Sequence, residues 1–146
     1  MTKEICFDMD GTIADFYSVD GWLDNLIQKN TRPYEIAKPL VNMNTLAKLL
    51  NRLQKSGYTL KIISWSSKAK DPAFDIQVRE VKEKWLKKHL SSVTFDAINV
   101  LPYGTPKEDY GDGILFDDEK PNRDNWNGIA YDESDVIGVL KGLLAS

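Results

Sequence analysis

Three short strand-like runs in this chain, two of them apolar and one rich in aromatic and β-branched residues, stop abruptly at acidic or hydroxyl residues, and that repeated juxtaposition limits the possible folds. Ile5-Cys6-Phe7 runs into Asp8, Asp10 and Gly11, Tyr58 to Ile63 runs into Ser64, Ser66 and Ser67, and Gly113 to Phe116 runs into Asp117 and Asp118. A short apolar run bounded by turn residues is the pattern of a strand buried on both faces, as in parallel sheets. Helical patterns lie between the runs. Leu46, Leu49, Leu50 and Leu53 recur at helical spacing, with Asn42 or Asn44 as N-cap and Gly57 as the C-terminal stop. Asp71 and Pro72 open a second helix, whose face of Phe74, Val78, Val81 and Trp85 reaches about Leu90. Ala97 to Leu101 and Gly128 to Tyr131 are further strand candidates, and Val136 to Leu144 form an apolar closing helix that tolerates Gly138 and Gly142. Alternating strands and helices predict a three-layer α/β fold, with a central, mostly parallel five-stranded sheet and helices on both faces. In such sheets ligands bind beyond the carboxyl ends of the strands, where all three polar clusters fall.

Composition narrows the chemistry. At 146 residues the chain makes one domain with room for a real core. Its 19 Lys and Arg against 22 Asp and Glu leave a net charge of -3, so no basic field draws it to nucleic acid or an anionic membrane. Cys6 is the only cysteine, which excludes a disulfide framework and points to a reducing cytoplasm. Acidic residues precede any long apolar stretch at the N-terminus, so neither a signal peptide nor a membrane span is expected. His89 is the only histidine, which disfavours histidine-based metal sites and triads. Carboxylates, hydroxyls and lysines are left to carry any reaction. The charged run Arg79 to Lys88 reads as the solvated face of its helix, His89 as a partner for that helix's terminal carbonyls, and Cys6 as packing inside the sheet.

Asp8 and Asp10, one residue apart at the end of a buried strand, are costly to desolvate together unless a cation or proton separates their charges. A hard divalent ion does this. Magnesium takes oxygen ligands, typically one or two carboxylates completed by water and phosphate, and Asp117 and Asp118 can supply its far side. Either pair alone reads equally well as solvated turn residues, whereas the two pairs together favour a metal.

The string FDMDGT after a strand, a hydroxyl closing the next strand at IISWSS, a lysine in TPKEDYG and the late ILFDD together resemble the four motifs of the haloacid dehalogenase superfamily. The resemblance runs from about Lys3 to Tyr131, and DMDGTIADF is also similar to the opening of the 5'(3')-deoxyribonucleotidases, whose cap is larger. It implies a Rossmann-like fold with a small helical cap insertion at about 13–42, and a magnesium-dependent phosphomonoester hydrolase working through an aspartyl-phosphate. Asp8 would be the nucleophile and Asp10 the general acid and then base. Magnesium would be held by Asp8, the Asp10 backbone carbonyl and one of Asp117 and Asp118. Ser64, with Ser66 and Ser67 as alternatives, would donate to a phosphoryl oxygen. Lys107, with Lys68 and Lys120 as rivals, would offset the charge around Asp8, and backbone amides near Gly11 and Thr12 would add donors. Gly11 and Thr12 read equally as turn and helix-start residues. Phe16, Tyr17 and Trp65 are candidates to touch a base or sugar, while Trp22, Leu23, Leu26 and Ile27 have the spacing of a helix packed on the core. The expected partner is a small phosphorylated metabolite or nucleotide, first of all a nucleoside monophosphate. The alternatives are a non-catalytic phosphate-binding or regulatory protein, a phosphotransferase, and a receiver domain, whose motif order differs.

Overall fold

Parallel pairing alone sets the strand order of the central sheet in the computed structural model, which describes residues 2–146. In chain order, β1 (Glu4–Phe7) leads to β2 (Ala14–Asp15), α1 (Trp22–Ile27), α2 (Arg32–Ile36) and β3 (Lys38–Pro39). Next come α3 (Met43–Lys55), β4 (Thr59–Trp65), α4 (Pro72–His89) and β5 (Ala97–Leu101). The chain closes with β6 (Ile114–Phe116), α5 (Lys120–Asn125), β7 (Ile129–Tyr131) and α6 (Val136–Ala145). The sheet runs β5-β4-β1-β6-β7, and every neighbouring pair is parallel.

Register places the polar strand ends side by side. Phe7 pairs with Phe116, so Asp8 and Asp117 emerge at one level, and the Asp8 amide donates to the Phe116 carbonyl at 2.9 Å. β4 is longer than the pattern indicated, because it stays paired with β5 as far as Trp65 opposite Leu101. Ser64 therefore lies inside the strand, and Ser66 and Ser67 follow it.

Side-chain alternation divides the core. Ile5, Phe7, Leu60, Ile62, Ile114 and Phe116 join Leu46, Leu50 and Leu53 of α3, Trp85 and Leu86 of α4, and Val136 and Leu140 of α6. The opposite face is thinner: Cys6, Ile63 and Leu115 pack under Trp126 at the end of α5. Burial there pushes the Cys6 thiol up to about 12, so it stays neutral. Asn42 caps α3, its side chain accepting from the Thr45 amide at 3.0 Å, and Asp71 caps α4 in front of Pro72. His89 rests its ring on Trp85, with centroids 4.4 Å apart.

Two expectations from the pattern are corrected. The run Arg79 to Lys88 is not a uniformly solvated face, because Lys82 falls four residues after Val78 and three before Trp85, on the buried stripe of α4, and is only 1% exposed. Nor does α1 pack as a whole on the core. Trp22 and Leu26 lean on a separate cluster of Phe16, Tyr34, Phe74 and Val78, whereas Leu23 and Ile27 are 54% and 71% exposed. α4 thus serves two cores, its first turns holding α1 and α2 and its last turns holding the sheet. β2 and β3 pair antiparallel at the base of the segment that carries α1 and α2. No helix among the described residues is long and apolar enough to cross a membrane.

The fully buried Leu50 is expected to cost about 2–5 kcal/mol when cut to alanine, whereas half-exposed Ile76→Ala should stay within about 0.5 kcal/mol, both read from denaturant midpoints.

Candidate active site

The site begins in the tight loop after β1. The Met9 carbonyl accepts from the amides of Thr12, Ile13 and Ala14 at 3.1, 3.0 and 3.0 Å, and the Gly11 amide donates to the Ala14 carbonyl at 2.8 Å. Gly11 has φ +81°, and a Cβ there would run into the Asp118 carboxyl group, whose Cγ would lie 2.8 Å away. Backbone conformation and close approach both require glycine. The amides of Gly11 and Thr12, expected as phosphate donors, are instead committed to closing the loop. No helix starts at Thr12, which leads into β2 and enters the site through its hydroxyl. That oxygen accepts from the Asp118 amide at 3.1 Å, and it lies 3.1 Å from Asp118 Oδ1 and 3.3 Å from Asp8 Oδ2, the two carboxylates available to its single proton.

Asp8, Asp117 and Asp118 each offer one oxygen, and these atoms all lie within 4.8 Å of one another. Lys107 binds two of the three. Its ammonium, delivered by a 3₁₀ turn at Lys107–Asp109, donates to Asp8 Oδ1 at 3.0 Å and to Asp117 Oδ2 at 2.7 Å. Asp117 is fully buried and also accepts from the Glu119 amide on Oδ1 and from Asn122 Nδ2 on Oδ2. The rival lysines stand elsewhere: Lys120 pairs with Asp124 at the surface, and Lys68 lies over the Tyr103 ring.

The Asp10 carboxylate lies outside the group of three, so only its backbone carbonyl is left for a cation there. Its Oδ2 accepts from Lys82 Nζ at 2.9 Å. The same ammonium donates to Ser64 Oγ at 2.8 Å and to the Trp65 carbonyl at 2.8 Å. Ser64 is buried, and among the described residues its own proton is committed to no acceptor. Ser66 differs, since it donates to Asp75 Oδ1 at 2.6 Å, while Ser67 accepts from the Ala69 amide.

Charge in this group follows from burial and the two ammonium groups. Burial opposes the ionised form of Asp8, but Lys107, a hydrogen bond with Asp118 and Lys82 outweigh it and hold its pKa below the usual carboxylate value. Burial raises that of Asp10 despite Lys82. Asp117 is pushed up to about 6 by burial and then by the Asp8 charge, and Asp118 up to about 8 by burial, then by its hydrogen bond and charge contact with Asp8. Lys107 is raised, since the attraction of Asp8 and Asp117 exceeds the burial penalty. An all-oxygen set of close carboxylates, two of which hold protons unusually well, suits a hard divalent cation able to replace those protons.

A cleft of about 640 Å³ is lined by Asp10 and Asp118 together with Tyr17, Trp22, Tyr34, Lys68 and Tyr103. Tyr17 is 48% exposed into it. Phe16 is almost fully buried and stacks on Tyr34 with centroids 4.5 Å apart, so it backs the wall more than it faces a ligand. Trp65 lies under Lys107, donates to the Thr105 carbonyl at 2.7 Å and faces a neighbouring recess shared with Tyr103. Lys82, Tyr34 and Asn122 were not picked out from the sequence as site residues. A signal for Lys82 existed, since a lysine at an apolar-stripe position must either deform the helix contact or find buried partners.

No protein-family model and no curated protein sequence matches the chain. Among solved structures, it is similar to the crystal structure of D,D-heptose 1.7-bisphosphate phosphatase from B. bronchiseptica complexed with magnesium and phosphate, at TM-score 0.62 and 14% identity over 99% of each chain. The chain shares the three-layer α/β fold of that phosphatase. The match extends the full length of both chains, so the expected Rossmann-like architecture holds throughout.

The raised acids set a pH dependence for the metal-free protein. Both folded-state values lie above the ordinary 3.8, so the stability they contribute is present below that value and is lost as pH rises through about 6 and about 8. Thermal midpoints after chelation should fall between about pH 5.5 and about pH 8.5. A divalent cation held by these acids would compete with those protons, so magnesium should raise the midpoint more at the higher pH, and equal shifts at both would contradict a cation there.

Proposed function

We propose that the protein is a magnesium-dependent phosphomonoester hydrolase of the haloacid dehalogenase type. The observation that carries this reading is the buried Lys107 ammonium bridging Asp8 and Asp117 beside Asp118, with Asp10 held separately by Lys82 in the lining of an aromatic cleft. Asp8, Asp117 and Asp118 fit a magnesium ion, which when bound neutralises charge on phosphoryl oxygens. Asp118 is the better direct ligand of the late pair, because both Asp117 oxygens already accept N–H groups.

The chain's own groups divide the remaining work. Asp8, kept ionised by Lys107, attacks phosphorus and forms a new oxygen–phosphorus bond. The ester bond breaks, its electron pair leaves with the alcohol oxygen, and that oxygen takes the proton from Asp10, whose pKa burial raises in favour of carrying one. Water then gives a proton back to Asp10, attacks phosphorus, and displaces the Asp8 carboxylate with release of inorganic phosphate. Ser64 supplies its free O–H to a phosphoryl oxygen, and Lys107 limits repulsion between Asp8 and the incoming dianion. Tyr17, Trp22 and Tyr34 make a wall suited to a planar base, which supports a nucleoside monophosphate as substrate.

Phosphate release from nucleoside monophosphates, sugar phosphates and p-nitrophenyl phosphate tests this reading. Turnover should require magnesium, vanish in Asp8→Asn and fall about 10²–10⁴-fold in Asp10→Asn. Undiminished activity of Asp8→Asn would overturn the mechanism, and a preference for sugar phosphates over nucleotides would overturn the substrate.

A further inference from the structure

Lys82 is a buried lysine that belongs to none of the motifs read from the sequence, and the environment of its ammonium is closed on every side. Its three N–H groups reach Asp10 Oδ2 at 2.9 Å, Ser64 Oγ at 2.8 Å and the Trp65 carbonyl at 2.8 Å. The remaining approach is covered by the ring of Tyr34, whose centroid lies 5.1 Å away. A charge at 1% exposure is tolerated only when fully partnered, and here each partner is different: an acid, a hydroxyl, a strand carbonyl and an aromatic face. With all three hydrogens committed, Lys82 has none left for a substrate oxygen. It acts through the groups it holds.

The geometry of those groups is informative. Asp10 follows β1 and Ser64 lies on β4, so a single ammonium from α4 ties two adjacent strand ends together. By donating to Ser64 Oγ, it turns that hydroxyl into an acceptor toward α4 and frees its proton for the opposite side. By engaging only Oδ2 of Asp10, it fixes the carboxyl plane while Oδ1 accepts from no side chain among the described residues. Tyr34 belongs to α2 and also lines the cleft, so the ammonium touches the substrate wall and the reacting groups at once.

We propose that Lys82 is a positioning residue of the hydrolytic reaction, holding the Asp10 carboxyl for proton delivery to the leaving oxygen and the Ser64 hydroxyl for the phosphoryl group. The inference rests on the hydrolase reading above. It separates two kinds of substrate. A nitrophenolate leaves as a stable anion with little need of a proton, whereas a phenolate depends more on the acid. The value of kcat/KM reports the steps through departure of the leaving group, so it isolates this effect from later release of phosphate.

The experiment compares p-nitrophenyl phosphate with phenyl phosphate, nearly equal in shape, in wild type, Lys82→Met, Asp10→Asn and the double variant with magnesium present. For Lys82→Met, the loss of kcat/KM should be about tenfold or more greater with phenyl phosphate than with p-nitrophenyl phosphate. Added to Asp10→Asn, Lys82→Met should lower kcat/KM for both substrates by a similar factor, the part that acts through Ser64, and no longer favour p-nitrophenyl phosphate, because residues acting through one another are not additive. Equal losses on both substrates for the single Lys82→Met variant, or full multiplication of the two single effects on phenyl phosphate, would show a merely structural lysine and overturn the proposal. Should Lys82→Met fail to fold, Lys82→Arg replaces it, since a planar guanidinium keeps the charge but cannot reproduce three convergent bonds. The same leaving-group selectivity is then expected, and wild-type selectivity would overturn it. Wild-type inactivity toward every phosphate tried would instead strike the hydrolase reading itself.

Discussion

Four carboxylates crowd the carboxyl edge of one sheet, where mutual repulsion and burial both act against their charge, and two buried ammonium groups make that crowding tenable. Lys107 arrives from the loop between β5 and β6 and bridges Asp8 and Asp117. Lys82 arrives from the middle of α4 and takes Asp10. Removing a partner from such a pair leaves a desolvated charge, so each ammonium depends on its acids as much as they depend on it. The register of β1 with β6 sets the level at which Asp8 and Asp117 meet Lys107.

The two lysines also sort the acids by role. Asp8 is driven toward its ionised form by Lys107, while Asp117 and Asp118 rise above the ordinary carboxylate range because Asp8 is already charged and burial penalises further ionisation. Asp10, turned away toward Lys82, rises as well. Under the hydrolase reading proposed above, Asp8 and Asp10 would serve as an ionised nucleophile and a proton-holding acid from one short loop. α4 links this division to the cleft, because the turns that pack Phe74 and Val78 against Phe16 and Tyr34 are followed one turn later by Lys82.

Much of this was legible in the chain itself. Apolar runs ending in Asp8 and Asp117 marked two strand ends, since a buried strand cannot carry ionised groups before its pairing stops, whereas Ser64, uncharged, lies one residue inside the end of β4. Lys107 and Asn42 were also readable, one from its motif and the other from its capping position. For Lys82 the sequence held only its place on the apolar stripe of α4, because a charged run looks solvated until something covers it, and what covers it is α2, distant in sequence. The amides of Gly11 and Thr12 were misread for a related reason: a tight loop after a strand consumes its own donors, and only the closed loop shows which ones.

By itself the sequence determined the alternation of strands and helices and the placement of acids and hydroxyls at or next to the strand ends. These are local properties, governed by hydrophobic periodicity and by the cost of burying charge along one stretch of chain. Tertiary structure alone decided which lysine serves which acid, that Asp118 faces the cleft while Asp117 is sealed beneath it, and that Leu23 and Ile27 stay exposed. Those outcomes depend on register between strands and on which faces distant helices cover, and Coulomb forces between groups 70 or more residues apart, as for Lys82 and Asp10, act only once the fold has brought them within hydrogen-bonding distance.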